Sequence, residues 1–299
     1  MEKDLIIGAA SGYDWSKLKY WVKSIRNSGF TGDVAIVGTN ITKETIDRLT
    51  KEGVILSLYG KQKENGDVVA HHDNAPHVER FFYLWNYLNT VKEDYRFVIT
   101  TDTRDVVFQG NPSAWLEDGL VFHSLVASSE GMQYQFEPWG NKNLHDAFGP
   151  FFHNQLKDKF INNVGVIAGD YEHVKGLMLL IFQMSINRPI PVVDQAAYNF
   201  LLHTPPIFND TWFTTNDDGW AVQLGTSFKA VEAGSGDLGA LVKESSENWK
   251  KYHMYYEDTQ PTFKDDGSVV NKYDKEFVIV HQWDRVPEMK EHIEKRFGE

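Results

Sequence analysis

Along the first hundred residues the apolar positions switch between two spacings. Leu5-Ile6-Ile7-Gly8-Ala9-Ala10 is a continuous apolar run closed by Ser11-Gly12, the pattern of a buried strand entering a loop. Trp15, Leu18, Val22 and Ile25 then recur at three- and four-residue steps, so they share one face of a helix that Asp14 opens and Ser28-Gly29 closes. The alternation continues. Val34 to Val37 reads as a strand, Thr42 caps a helix carrying Ile46 and Leu49, and Val54 to Leu58 reads as a third strand. Val78 to Val91 is a longer helix with Phe81, Trp85, Leu88 and Val91 inward, and Phe97-Val98-Ile99 is a strand that ends in Thr100-Thr101-Asp102.

Strands alternating with helices imply an α/β fold, a mostly parallel sheet with helices on both faces. Ligands bind such sheets beyond the carboxyl ends of the strands. The loops Ala9 to Tyr13 and Asp102 to Asp105 occupy two of those ends. The second half is less regular. Residues 128–150 read as a loop region rich in Gly, Trp, Phe and Asn, and 157–170 as a turn and a short strand around Asn162 to Val166. Tyr171 to Ile186 reads as a strongly apolar helix, Val192 to Leu202 as a helix starting near Asp194, and Phe277 to Val280 as a late strand ending in His281. Residues 233–275 read as polar, Gly-rich and irregular, and Val286 to Phe297 as a charged helix. No repeat, low-complexity tract or linker divides the chain, so one domain with long functional loops is expected over residues 1–299.

Composition removes whole classes of chemistry. The chain has no Cys, which excludes disulfides, thiolate zinc sites and cysteine nucleophiles. Its net charge of −12 argues against a nucleic-acid partner. The longest wholly apolar run, Leu177 to Phe182, is far short of the ~20 residues a spanning helix needs. Leu5 to Ala10 is short for a signal peptide and follows Glu2 and Asp4. A soluble, cytoplasmic protein is the resulting expectation.

The strongest chemical signal is Val98-Ile99-Thr100-Thr101-Asp102-Thr103-Arg104-Asp105, a buried strand running straight into two carboxylates. Two carboxylates held close repel unless a cation or a proton lies between them. A hard divalent ion suits such a pair and keeps positions for substrate phosphates. The plain alternative is a turn in which Asp102 caps the chain and Asp105 pairs with Arg104.

The stretch Thr101-Asp102-Thr103-Arg104-Asp105-Val106-Val107-Phe108-Gln109-Gly110-Asn111-Pro112 resembles the metal-binding segment of GT-A glycosyltransferases, with two residues between the aspartates in place of one. That spacing leaves open direct ligation by both carboxylates or by one through water. Three further segments resemble the same family in the same order. They are Asn162-Asn163-Val164-Gly165, which lines the donor sugar, Val193-Asp194-Gln195 at a helix start, and Val280-His281-Gln282-Trp283, whose histidine completes the metal shell. The resemblance implies a GT-A fold, with a nucleotide-binding half at 1–112 and a donor-sugar and acceptor half at 113–299. It also implies a manganese or magnesium ion on Asp102, Asp105 and His281. The implied reaction is transfer of a monosaccharide from a nucleoside diphosphate sugar, most commonly UDP-linked in this family, to a hydroxyl of a glycan or glycoconjugate.

The remaining site residues follow from chemistry and position. Asp194, at a helix start, is the carboxylate expected at the reaction centre, either as general base in an inverting reaction or as a donor-positioning group in a retaining one. Ala9, Ala10 and Ser11 allow close backbone approach, and Tyr13 offers a ring for a nucleobase. Arg80 suits a diphosphate or base, while Thr103 and Arg104 join the donor set, Arg104 pairing with Asp105 or with phosphate. The resemblance places Asn163 and Gly165 in the donor-sugar wall. Tyr134, Phe136, Trp139 and Trp220 fall in expected loops, where exposed aromatic rings suit sugar faces, and Glu137 with Trp139 is a candidate acceptor pair. Two rival functions share this pattern. One is a nucleotidyltransferase that makes sugar nucleotides; the other is a non-catalytic carbohydrate-binding protein of the same fold.

Overall fold

The computed structural model describes residues 3–71 and 75–298. Its first elements alternate as the apolar pattern requires: β1 (Lys3–Ser11), α1 (Trp15–Asn27), β2 (Asp33–Thr39), α2 (Lys43–Lys51) and β3 (Ile55–Leu58). Thr42 caps α2 through its side chain, which accepts from the Thr45 amide at 3.3 Å. Asp14 stands at the start of α1, but its carboxylate accepts from the Ser16 hydroxyl and not from a helix amide. A small ribbon, β4 (Lys61–Gln62) with β5 (Val68–Val69), precedes α3 (Pro76–Thr90) and β6 (Tyr95–Asp102).

The middle of the chain is more ordered than its pattern suggests. After β7 (Val106–Phe108) and α4 (Pro112–Gly119) come β8 (Leu125–Gln133), α5 (Pro138–Leu156), β9 (Phe160–Asp170), α6 (Tyr171–Ser185) and α7 (Asp194–Leu202). The expected loop at 128–150 is therefore a buried strand followed by a helix. Ser128-Ser129-Glu130-Gly131 shows no hydrophobic alternation, yet β8 is buried through Met132, with β9 along one side and β10 beside Leu125 to Ser128 on the other. The backbone of α5 breaks at Gly149, where φ is 77°, just before Pro150. The expected short strand at 162–166 is eleven residues long.

The last third holds β10 (Thr211–Thr214), β11 (Ala221–Gln223), α8 (Phe228–Glu232), α9 (Gly236–Glu244), α10 (Ser246–Tyr255), the hairpin β12 (Thr262–Phe263) and β13 (Val269–Val270), β14 (Ile279–His281) and α11 (Pro287–Phe297). Residues 233–275, read as irregular, thus carry two helices. A satellite core of Leu238, Val242 and Tyr252, with Phe228, Trp249 and Tyr256 packed on it, anchors them; its members recur at helical steps that the polar, Gly-rich composition of the segment obscures.

The main sheet runs in the order β10-β8-β9-β6-β1-β2-β3. All pairings are parallel except those of β9, which runs antiparallel to both β6 and β8. Alternate residues of β1 serve opposite faces. Ile6 packs with Leu18, Trp21, Val22 and Ile25 of α1, whereas Leu5 and Ile7 pack with α3 and α6 through Phe81, Leu84, Leu177 and Ile181. Each such buried side chain contributes about 1.5–3 kcal/mol. A second sheet, β11-β14-β7, pairs Val106 with His281 and so brings a late strand against the end of β6. No helix among the described residues is long and apolar enough to cross a membrane.

Candidate active site

The carboxyl ends of β1, β2, β6 and β8 and the amino end of β9 meet at one edge of the sheet, where a cavity of about 830 Å³ opens. Asp102 ends β6 and pairs in register with Ala9 of β1, which places the Ala9–Tyr13 loop beside the carboxylate. Asp105 lies in the turn between β6 and β7, its carbonyl accepting from the Gln282 amide at 2.7 Å. His281 ends β14. One donor atom from each of Asp102, Asp105 and His281 lies within 4.8 Å of the others.

The set fits a divalent cation. Nε2 of His281 lies 3.5 Å from Asp102 Oδ2 and 3.7 Å from Asp105 Oδ1. Its Nδ1 donates to the side-chain amide oxygen of Gln223 at 2.7 Å, which fixes the ring and directs Nε2 toward the carboxylates. Gly165 leaves room for this meeting. A Cβ there would lie 2.4 Å from the His281 ring and 2.9 Å from Asp102 Oδ2.

The electrostatics are those of a cation site. Burial alone would lower His281, but hydrogen bonding and charge from Asp102 and Asp105 push it up to about 9. Burial would raise Asp102, yet Arg80 and His281 hold it far below the usual carboxylate range. Asp105 is also lowered, because His281 and Arg104 outweigh burial and the Asp102 charge. A metal ion held by Nε2 would take the place of the proton there, so metal binding and proton release would be linked. Near neutral pH, Mn²⁺ binding is expected to release close to one proton, read by calorimetry in buffers of different ionisation enthalpy. Proton-free binding would refute the histidine ligand. The sign for the metal-free fold follows. His281 is raised, so its stabilising contribution is complete below about pH 6.5 and is lost as pH climbs through about 9.

Arg80 joins this cluster to the candidate reaction centre. From α3 it pairs through Nη1 with Asp102 Oδ1 and through Nη2 with Asp194 Oδ2, the latter at 2.8 Å. Asp194 is buried at the first position of α7. Asn199 locks that helix to β9, accepting from the Asn162 amide and donating to its carbonyl, both at 2.8 Å. Asn163 is also fully engaged, accepting from the Gly165 amide and donating to Glu130, both at 2.7 Å.

All the residues expected to form the site line the one cavity: Ala9, Ala10, Ser11, Tyr13, Arg80, Asp102, Thr103, Arg104, Asp105, Asn163, Gly165, Asp194 and His281. Their surroundings distinguish them. The Thr103 hydroxyl donates to the Ala9 carbonyl at 2.9 Å, so it braces the loop. Arg104 pairs with Asp105 at 2.8 Å and with Asp284 at 2.7 Å. Ser11 accepts from Thr39 at 2.9 Å, which ties the first loop to the end of β2.

The aromatic expectation is corrected in part. Tyr134 and Trp220 are buried and face no solvent, and Phe136 stacks on Tyr255 at 3.9 Å. Trp139 does line the cavity. Glu137 lines it too, but its carboxylate caps α5, accepting from the Trp139 and Gly140 amides. Sequence reasoning missed Glu130, Gln195, Gln223 and Asn199. Gln195 had a signal in its place beside Asp194. Gln223 had none, because only the pairing of β11 with β14 brings it to His281.

No protein-family model matches the chain, and no curated protein matches it. Solved structures do. An apo structure of the bifunctional glycosyltransferase WbbM matches with a TM-score of 0.56 at 13% identity, over 98% of this chain and 50% of that one. The galactosyltransferase LgtC, solved with donor and acceptor sugar analogs, matches with a TM-score of 0.50 at 12% identity, over 97% of this chain and 95% of LgtC. The glycosyltransferase GlyE of Streptococcus pneumoniae TIGR4 gives 0.48 at 14% identity, over 94% and 55%. The chain thus spans about half the length of the WbbM chain. These likenesses show the fold: the GT-A architecture expected from the sequence is the one observed.

Proposed function

We propose that this chain is a glycosyltransferase that moves a monosaccharide from a nucleoside diphosphate sugar, UDP-linked, to a hydroxyl of a glycan or glycoconjugate. The observation that carries the reading is the Asp102–Asp105–His281 cluster opening into a cavity that Arg80 and Asp194 also line. The donor chemistry of those three side chains suits manganese or magnesium. When bound, the ion offsets the negative charge of the diphosphate and stabilises the nucleoside diphosphate as it leaves.

The chain's own residues do the rest. Ala9, Ala10 and Ser11 present small surfaces to the nucleotide, and Tyr13 offers its ring to the base. Asn163, Gly165 and Asp194 line the donor-sugar side, with Asp194 kept in place by Arg80. Arg80 spans Asp102 and Asp194, so one guanidinium sets the spacing of the cation cluster from the reaction centre. On this reading residues 1–112 supply the nucleotide side and residues 113–299 the donor-sugar and acceptor side.

A thermal-shift panel of nucleotide sugars with and without Mn²⁺ tests the reading. A donor present at 100 times its Kd adds about 2.7 kcal/mol of stability, and that gain should require the metal. A panel in which no nucleotide sugar stabilises the protein, or in which chelator makes no difference, would refute the proposal.

A further inference from the structure

Asp105 directly precedes β7 and His281 ends β14, and those two strands pair antiparallel. The residue that follows His281 has an uncommon backbone. Gln282 has φ 58° and ψ 35°, in the left-handed region. Among the described residues the other non-glycine residues with positive φ are Asn40, Asn187 and Asp274. Asn and Asp tolerate that region because their short side chains bond to the nearby backbone. Glutamine has no such advantage, so the conformation at 282 is imposed by its surroundings. Backbones held in this way cluster at functional sites.

Three contacts hold Gln282. Its amide donates to the Asp105 carbonyl at 2.7 Å, and its carbonyl accepts from the Arg285 amide at 3.0 Å. Its side-chain oxygen accepts from the Gly225 amide at 2.9 Å. That last contact leaves no spare room. A Cβ at Gly225 would lie 2.2 Å from the Gln282 oxygen, and its nearest neighbours all belong to Gln282. Gly225 stands two residues after Gln223, whose side chain orients the His281 ring. One short segment, 223–225, thus grips two consecutive residues, 281 and 282. The Gln282 amide shares a rigid peptide plane with the His281 carbonyl, so rotation about φ of Gln282 tilts that plane. Trp283 is buried on the far side, which leaves the tilt to be taken up between His281 and Asp105. The facing atoms there are Nε2 of His281 and Oδ1 of Asp105, 3.7 Å apart.

We propose that Gln282 is a positioning residue of the cation cluster: the Gly225 contact pins its left-handed backbone, and that backbone sets the separation of Asp105 from His281. The inference rests on the cation reading above, and the ligand atoms remain those of Asp102, Asp105 and His281. A residue that only turned the chain out of β14 would leave ion affinity unchanged.

The test measures Mn²⁺ affinity of the full chain by calorimetry or by the paramagnetic resonance signal of the free ion, together with melting of the metal-free protein. Gln282→Gly suits the left-handed backbone but removes the anchor. It should melt close to the parent yet bind Mn²⁺ about tenfold more weakly, the lower end of the effect of a residue that supports metal ligands. Gln282→Asn also tolerates the backbone but is one methylene too short for Gly225, and it should lose a similar factor. Gly225→Ala should do the same by displacing the Gln282 side chain. Added to Gln282→Gly it should cost nothing more, because the space is then open, whereas independent effects would multiply to about a hundredfold. Parent-like Mn²⁺ affinity in Gln282→Gly or Gln282→Asn overturns the proposal. So does a multiplied loss in the double variant, or an affinity loss seen only where the metal-free fold is lost. A parent chain that does not bind Mn²⁺ overturns the cation reading itself, and this inference with it.

Discussion

The Asp102→Ala, Asp105→Ala double variant is expected to lose metal-dependent hydrolysis and transfer of a nucleotide sugar by on the order of 10³-fold or more. Removing one group that stabilises developing charge commonly costs 10²–10³-fold, and this variant removes two of the three proposed cation ligands. His281 reports the same change separately. Its pKa stands at about 9 only because the two carboxylates overcome burial. With both gone, burial is opposed only by the weaker field of Glu130, and the imidazole should titrate well below about 9. An NMR titration of His281 checks this without any assay of activity. Turnover equal to that of the parent, with manganese still bound, would remove the basis of the functional proposal.

Arg80→Met should be the most destabilising single change at the site. The methionine keeps much of the side-chain volume but leaves Asp102 and the buried Asp194 without their shared guanidinium. Breaking a buried ion pair on one side costs about 3–5 kcal/mol, because the charge left behind has neither water nor partner. The pH dependence gives the sign. Arg80 helps hold Asp102 below the ordinary carboxylate range, so that stabilisation is present above about pH 4 and is lost as pH falls. The deficit of the variant should therefore be large at neutral pH and smaller in acid. Urea titrations at the two pH values measure it. A deficit under about 1 kcal/mol, the size of a solvated surface pair, would mean that Arg80 does not bridge the two carboxylates in solution.

How much could be read from the sequence differs between the two halves for a physical reason. In residues 5–102 each strand and helix has its own apolar period, because each buries one face against a neighbour close in sequence. The elements there appear as expected, with boundaries moved by a few residues. In β8 the rule fails. Ser128, Ser129 and Glu130 are polar residues on a buried strand, and one local and one distant group satisfy two of them. The Ser129 hydroxyl accepts from Gly131, and Glu130 accepts from Asn163. A local window sees only polarity and reads a loop. The helix α10 was missed for a related reason, since its packing partner Phe228 lies well before it in the chain.

The site divides along the same line. A strand ending in Asp102-Thr103-Arg104-Asp105, an acidic residue opening a helix at 194, and a late strand ending in a histidine are local facts, visible in the chain itself. The sequence alone thus determined which residue types stand at the strand ends, and with them the oxygen and nitrogen donors that a cation site would use. Only the tertiary structure decided how they meet. It took the β7–β14 pairing to carry His281 across 176 residues to Asp105, the β11–β14 pairing to orient its ring through Gln223, and α3 to set Arg80 between two carboxylates 92 residues apart. Hydrogen-bond geometry and burial depend on distances in space, and residues so far apart in the chain carry no periodic signal of their contact.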